Sequence, residues 1–247
     1  LKYTLETLNG MPLYLLGKIV NDFNPIFCQA HDKSINFIGA RNHLAVHLKF
    51  VRYKSFRNDE NFNWDSTYAF DSDEVKRNIS WFMKKSNAIK AKALNITPYE
   101  SNLNISNEYI NGKLTTFVEK PPLPNIPTME GGIKVRIIDL KEMINQLKPL
   151  NEEVVKLTFS KSKITMCGLT YESPIHKVSI SMNSKFLGND GTINTLCFKE
   201  MLLRSCQLAV EVSSRAEFSF YPGGAAQIFA KNNNIFIRCL LTAVETN

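Results

Sequence analysis

Ile26-Phe27-Cys28-Gln29-Ala30 leads through a polar turn to Ile35-Asn36-Phe37-Ile38-Gly39, and Val155-Lys156-Leu157-Thr158-Phe159 leads through Ser160-Lys161-Ser162-Lys163 to Ile164-Thr165-Met166-Cys167-Gly168. The two stretches match at one constant offset: Ile35 falls on Ile164, Gly39 on Gly168 and His47 on His176. Each reads as two short strands joined by a polar turn. Each follows a strand and a short amphipathic helix. A duplicated strand–helix–hairpin unit in a chain of 247 residues predicts two similar domains.

Working outward, Tyr3–Leu8 alternates like a strand, and Gly10 and Pro12 open a helix through about Asn21 with Leu13, Leu16, Ile19 and Val20 inward. Strands Ile26–Ala30, Ser34–Gly39 and Leu44–Phe50 follow, then a polar stretch from Val51 to Trp64 and a strand at Thr67–Phe70. Asp71-Ser72-Asp73-Glu74 places acids at the positive end of a helix running to about Lys85, with Val75, Ile79 and Phe82 on one face. Strands at Ile89–Ile96, Asn102–Ser106 and Lys113–Glu119 complete the first half. Four prolines in Pro121–Pro127 exclude a helix or a central strand.

The expected organisation is therefore an N-terminal domain over 1–119, an extended connector over 120–131 and a C-terminal domain over 132–247. In the second domain, strand Ile133–Ile138 and the Asp139-capped helix with Leu140, Met143, Ile144 and Leu147 inward precede the hairpin, which continues into Ile175–Met182. Ile193–Cys197, a helix over Phe198–Ala209, and strands at Val210–Val212, Glu217–Tyr221, Ala226–Lys231 and Ile235–Val244 close the chain. The reading is four strand–helix–strands units, two per domain.

Composition is that of an ordinary globular protein, 44% apolar and 21% charged. No apolar run reaches the ~20 residues a membrane-spanning helix needs, and Leu1–Glu6 lacks the pattern of a secretory signal. The five cysteines sit in apolar runs and read as buried reduced thiols. A cytosolic or nuclear setting is expected. The net charge of +7 mildly favours a polyanionic partner. No phosphate-binding loop, dinucleotide fingerprint, zinc-protease helix, nucleophile elbow or paired-cysteine motif occurs. His43 and His47 are too far apart on a strand to share a metal. No catalytic residue, metal or cofactor is expected.

Four βαβββ units, two domains and one extended connector resemble the DNA sliding clamps, the group that includes proliferating cell nuclear antigen. The segments Thr195–Met201, Phe220–Phe229 and Phe236–Ala243 are similar to the end of the clamp domain in the largest subunit of the heterotrimeric DNA-damage checkpoint clamp, with Lys2–Leu5 and Ala40–Val46 compatible. The resemblance implies an α+β fold of two similar clamp domains, each of two βαβββ units, with helices lining a ring interior and sheets outside.

It also implies a non-enzymatic, nuclear subunit that encircles double-stranded DNA and recruits damage-response and repair proteins. The alternative is a homotrimeric replication processivity clamp. Its partners would be two other clamp-like subunits or two copies of itself, a clamp loader, and proteins bearing short docking peptides. Every helix carries a cation away from its apolar stripe, and the resemblance turns these toward DNA: Lys18, Arg77, Lys84, Lys141, Lys148, Lys199 and Arg204. The partner-peptide pocket would comprise His43, Leu44, Val46, Leu123, Ile126, Leu241, Ala243 and Val244. Subunit seams are expected at the strands 89–96 and 210–212.

Overall fold

The computed structural model describes residues 5–30, 34–51, 67–99, 102–115, 134–159, 164–169, 174–180, 186–187, 193–221 and 224–244. Two compact units divide the chain between Pro124 and Asn125, with two short exchanges. Unit 1 comprises Leu1–Arg41, His47–Pro124 and Asn233–Phe236, and unit 2 comprises Asn42–Val46, Asn125–Asn232 and Ile237–Asn247. The proline-rich segment 120–131 lies outside the described residues, as does most of the polar stretch after Val51.

Unit 1 runs β1 (Leu5–Asn9), α1 (Met11–Ile19), β2 (Ile26–Ala30), β3 (Ser34–Arg41), β4 (Leu44–Val51), β5 (Thr67–Phe70), α2 (Ser72–Ile79), a 3-10 turn (Ser80–Met83), α3 (Lys85–Lys90), β6 (Lys92–Tyr99), β7 (Asn102–Ser106) and β8 (Asn111–Thr115). Its strands form the orders β1-β6-β7-β8 and β4-β3-β2-β5. Unit 2 runs β9 (Lys134–Asp139), α4 (Leu140–Leu147), β10 (Val154–Phe159), β11 (Ile164–Leu169), β12 (Pro174–Ile180), β13 (Phe186–Leu187), β14 (Ile193–Phe198), α5 (Lys199–Ala209), β15 (Arg215–Phe220), β16 (Ala226–Asn232) and β17 (Ile235–Leu241). Its orders are β12-β11-β10-β14 and β13-β9-β15-β16-β17.

The sequence repeat is a repeat of hydrogen-bond register. In β2·β3, Phe27 faces Ile38, Cys28 faces Phe37 and Gln29 faces Asn36. At the same offset in β10·β11, Lys156 faces Cys167, Leu157 faces Met166 and Thr158 faces Thr165. On its other side the first hairpin strand pairs with the strand that feeds the unit's second helix: Ile26 with Phe70 before α2, and Val155 with Cys197 before α5.

The matched glycines explain why the pattern recurs. A Cβ on Gly39 would lie 2.5 Å from the ring of Phe23, and a Cβ on Gly168 would collide with the carboxyl of Glu152. Phe23 and Glu152 are themselves matched positions, each ahead of its hairpin. In both units the incoming chain lays a side chain across the second strand, where only glycine leaves room.

Helices form where periodicity and caps coincide. Leu13, Leu16, Ile19 and Val20 are buried, as are Val75, Ile79 and Phe82, and Leu140, Met143, Ile144 and Leu147. Oδ1 of Asp71 accepts hydrogen bonds from the N–H groups of Asp73 and Glu74, both at 3.0 Å, and Oδ1 of Asp139 accepts from Glu142 N–H at 3.0 Å. In unit 1, α1 packs on α2, the 3-10 turn and α3; in unit 2, α4 packs on α5.

Four expectations need correction. The helix expected to continue to Lys85 breaks after Ile79, and Ile89, expected in a strand, lies in α3 and is 58% exposed. The break lets Phe82 reach Gly10, where a Cβ would stand 2.6 Å from its ring, while Asn87 Nδ2 donates to the Trp81 carbonyl. Residues Val210–Val212 form no strand. Their N–H groups donate to the carbonyls of Cys206, Leu208 and Ala209 as the final turn of α5, and the strand starts at Arg215. The first helix also stops at Ile19, two residues short of the expected end.

Replacing Gly39 by Ala is expected to lower stability by about 1–3 kcal/mol through overpacking against Phe23. Adding Phe23→Leu should recover part of that loss. Urea unfolding of the three variants measures the coupling; additive effects would refute the contact's importance.

Candidate functional site

In unit 1 the cations gather on the packed helices. Arg77 and Lys84 are exposed, the first on α2 and the second in an extended residue between the 3-10 turn and α3. Lys18 on α1 is partly buried, with Nζ 5.1 Å from the centre of the Tyr14 ring. Lys85, which sequence reasoning passed over, places its Nζ 5.6 Å from the same ring. A buried aromatic thus carries two ammonium groups at the surface of one helix layer. Lys76 is engaged with Asp73 at 3.2 Å.

In unit 2, Lys141 and Lys148 are exposed, on α4 and at its C-cap. Lys199 and Arg204 are partly buried on α5. The Lys199 ammonium donates to the Leu150 carbonyl and its backbone N–H to the Glu153 carbonyl, the latter at 2.8 Å, so this residue fastens α5 to the chain leaving α4. Burial raises the Cys239 thiol, and the nearby charge of Arg204 offsets a small part of that rise. Of the seven cations singled out from sequence, Arg77, Lys84, Lys141 and Lys148 are exposed.

The residues expected to receive partner peptides divide into three groups. Leu44, Val46 and Leu241 are buried in the sheet and form no surface. Leu123 and Ile126 lie outside the described residues. His43, Ala243 and Val244 are partly exposed in unit 2. Asn42 takes a left-handed conformation with φ 48° in the tight turn between β3 and β4, which puts His43 at the turn's end. Nδ1 of His43 lies 2.8 Å from Thr242 Oγ1, its carbonyl accepts from Thr242 N–H at 3.1 Å, and its ring centre is 4.7 Å from that of Phe198. Val244 N–H donates to the Leu196 carbonyl at 3.2 Å.

Beside this anchored segment, unit 2 has a cavity of about 560 Å³. Asn42 and His43 line it from the turn, Glu152 and Glu153 from the approach to β10, and Phe198–Met201 and Leu203 from the start of α5. Phe198, Met201 and Leu203 supply apolar wall, while three carboxylates set its charge. Of these residues, sequence reasoning singled out His43 for the peptide pocket and Lys199 as DNA-facing, and missed the rest. One available signal was the repeat itself, which matches Glu152 to an aromatic residue, Phe23.

A second missed feature is an aromatic pair in unit 1. The Trp81 and Tyr109 rings stack with centres 5.1 Å apart and planes 19° apart, and Tyr109 is 56% exposed. Asn107 Oδ1 accepts from the N–H groups of Tyr109 and Ile110, both at 2.9 Å, holding the turn that presents Tyr109. The edge strand β8 follows at once.

The five cysteines are free and buried. Burial pushes the thiols of Cys197 and Cys239 up to about 12 and raises those of Cys28 and Cys206 strongly, so these four are poor nucleophiles at neutral pH. Among the described residues, no group of three His, Cys, Asp or Glu side chains is arranged to hold a metal ion, and no helix is long and apolar enough to cross a membrane.

No protein-family model and no curated protein sequence matches this chain. Solved structures do match. Proliferating cellular nuclear antigen from Entamoeba histolytica aligns with a TM-score of 0.71 and 10% identity, covering 98% of this chain and 99% of that one. The DNA polymerase sliding clamp of Pseudomonas aeruginosa aligns with a TM-score of 0.71 and 8% identity over 100% of this chain and 66% of that one. DNA polymerase III subunit beta from Borrelia burgdorferi gives 0.70 and 12% over 99% and 63%. The chain spans about two thirds of those two bacterial proteins and nearly the full length of the Entamoeba one. With its duplicated register, the chain has the α+β fold of the sliding clamps.

Proposed function

We propose that this protein is a non-enzymatic DNA sliding clamp subunit that joins other clamp-fold subunits in a ring around duplex DNA and tethers repair and checkpoint proteins to it. The observation that carries this reading is the clamp fold over essentially the whole chain, with two strand–helix–strands units in each half. DNA is held by enclosure, and exposed Lys and Arg on the helices meet phosphates without reading bases. The favoured assembly is a nuclear heterotrimeric checkpoint ring placed on DNA by a loader. The net charge of +7 and the likeness of Thr195–Met201 and the final strands to the checkpoint subunit favour it. A homotrimeric replication clamp is the second reading, favoured by the end-to-end match with proliferating cellular nuclear antigen.

Ring closure needs an edge of one subunit to meet a different edge of the next. The seams foreseen from sequence are unsuitable: β6 lies between β1 and β7, and 210–212 form no strand. Edges β8 of unit 1 and β12 of unit 2 take their place in the proposal. Just ahead of β8, unit 1 exposes Tyr109, apolar surface suited to being covered by a neighbour.

Light scattering of the purified chain separates the two assemblies. A homotrimer has three times the 28.1 kDa mass, whereas a heterotrimer subunit stays at 28.1 kDa until two other clamp-fold chains are added. The assembled ring should be trapped on linear duplex whose biotinylated ends are capped with streptavidin, and released when a restriction cut makes free ends. Retention after the cut would refute enclosure.

Tyr109→Ala is expected to weaken assembly while leaving the isolated chain's stability within about 0.5 kcal/mol. Loss of both would assign Tyr109 to the fold alone. Arg77→Ala or Lys84→Ala should each reduce the salt slope of duplex binding by about 1. Lys199→Ala should leave the slope unchanged and lower stability by about 1–3 kcal/mol, because its ammonium is committed to Leu150. A slope change at Lys199 of the same size would overturn that division.

A further inference from the structure

The internal repeat supplies a built-in comparison for every residue of unit 2. Phe23 in the first copy is 4% exposed and rests on Gly39 as ordinary core. At the matched position the second copy has Glu152, whose carboxyl rests on Gly168 in the same way. The backbone solution is shared; the side-chain chemistry is not. Oε2 of Glu152 is buried and has no hydrogen-bond partner. Burying an unsatisfied carboxylate oxygen costs stability, and an aromatic ring occupies the matched point of unit 1. Folding therefore gives no reason for a glutamate here.

The cavity gives one. Glu152 lines it together with Glu153 and Glu200. Among the described residues, the one cationic side chain in that wall, Lys199, has its ammonium bound to the Leu150 carbonyl, and His43 Nδ1 is engaged with Thr242 Oγ1. Three glutamates thus line a space in which, among the described residues, the Lys199 ammonium is already committed. Phe198, Met201 and Leu203 add apolar wall, which suits the stem of a long side chain.

We propose that this cavity receives a lysine or arginine side chain of a docked partner peptide, with Glu152 as the principal counter-charge. The proposal rests on the reading that unit 2 docks partner peptides beside His43, and it adds the chemistry that the peptide must carry. A guanidinium or ammonium group supplies the donors and the charge that the wall lacks, and its stem lies against Phe198. A wholly apolar anchor would leave the partly buried Glu152 carboxylate without a counter-charge.

The test selects dodecapeptides from a random phage-displayed library against the full chain, and repeats the selection against Glu152→Gln and against Glu152→Phe, which copies the residue of the first unit. Thermal unfolding confirms that each variant is folded; the Phe variant keeps the test usable if the Gln variant is not. Peptides enriched on the wild type are expected to share an Arg or Lys, and that preference should vanish on the variants. Replacing the shared Arg by citrulline, or the shared Lys by norleucine, should weaken binding to the wild type about tenfold or more, and to the variants less than twofold. Enriched peptides without a basic residue, or an equal loss on wild type and variants, would overturn the charge assignment and leave peptide docking standing. Failure to enrich any peptide would remove the docking reading, and this inference with it.

Discussion

A side chain laid across a glycine anchors each half of this protein. The strand that opens each hairpin can pair in its observed register only if the preceding chain crosses close above the second strand. Gly39 beneath Phe23 and Gly168 beneath Glu152 make that crossing possible. Any Cβ there forces the crossing residue outward, and with it the entry of β2 or β10 into its sheet. Because β2 and β10 also pair with the strands that lead into α2 and α5, the crossing positions the second helix of each unit as well. One local steric condition is thereby transmitted to the helix layer where the exposed cations lie.

The two copies then differ where chemistry differs. In unit 1 the crossing residue is apolar, the helix layer is broken by a 3-10 turn, and the break places Trp81 against Tyr109 next to an edge strand. In unit 2 the crossing residue is acidic, α5 is a single helix of 11 residues, and its first turn forms one side of a cavity. Duplication supplied the frame. Substitution at matched positions set one unit's exposed apolar surface and the other's acidic pocket. A surface that encloses DNA needs weak, salt-sensitive phosphate contacts. A pocket that tethers a protein needs an anchor with matched shape and charge. Exposed cations on the helices and a glutamate-lined, partly apolar cavity occur in this chain on separate elements.

Much was legible along the chain. The helices were found because their apolar positions recur at helical spacing and because Asp71 and Asp139 stand where caps are needed; both caps form. The hairpins were found because the repeat preserved their pattern, and the register repeats with it. The errors fell where local propensity competes with long-range packing. Ile89 and Val210–Val212 are rich in strand-forming residues, yet the first lies in a short helix and the second in the last turn of α5. The helix expected through Lys85 breaks because Phe82 must reach Gly10, a contact between residues distant in sequence.

What the sequence by itself determined was the doubling of the fold, the helical stripes and the positions of positive charge, since all of these are written in periodicity and in caps that act over a few residues. Only the tertiary structure decided which of those charges are available and where a pocket lies. Lys199 looks like any surface cation until the carbonyl of Leu150 is brought to it. Leu44, Val46 and Leu241 look like pocket lining until the sheet buries them. Glu152 acquires meaning only when folding sets it on Gly168 beside His43 and Glu200. Availability and concavity arise from contacts between distant segments, and no local pattern encodes them.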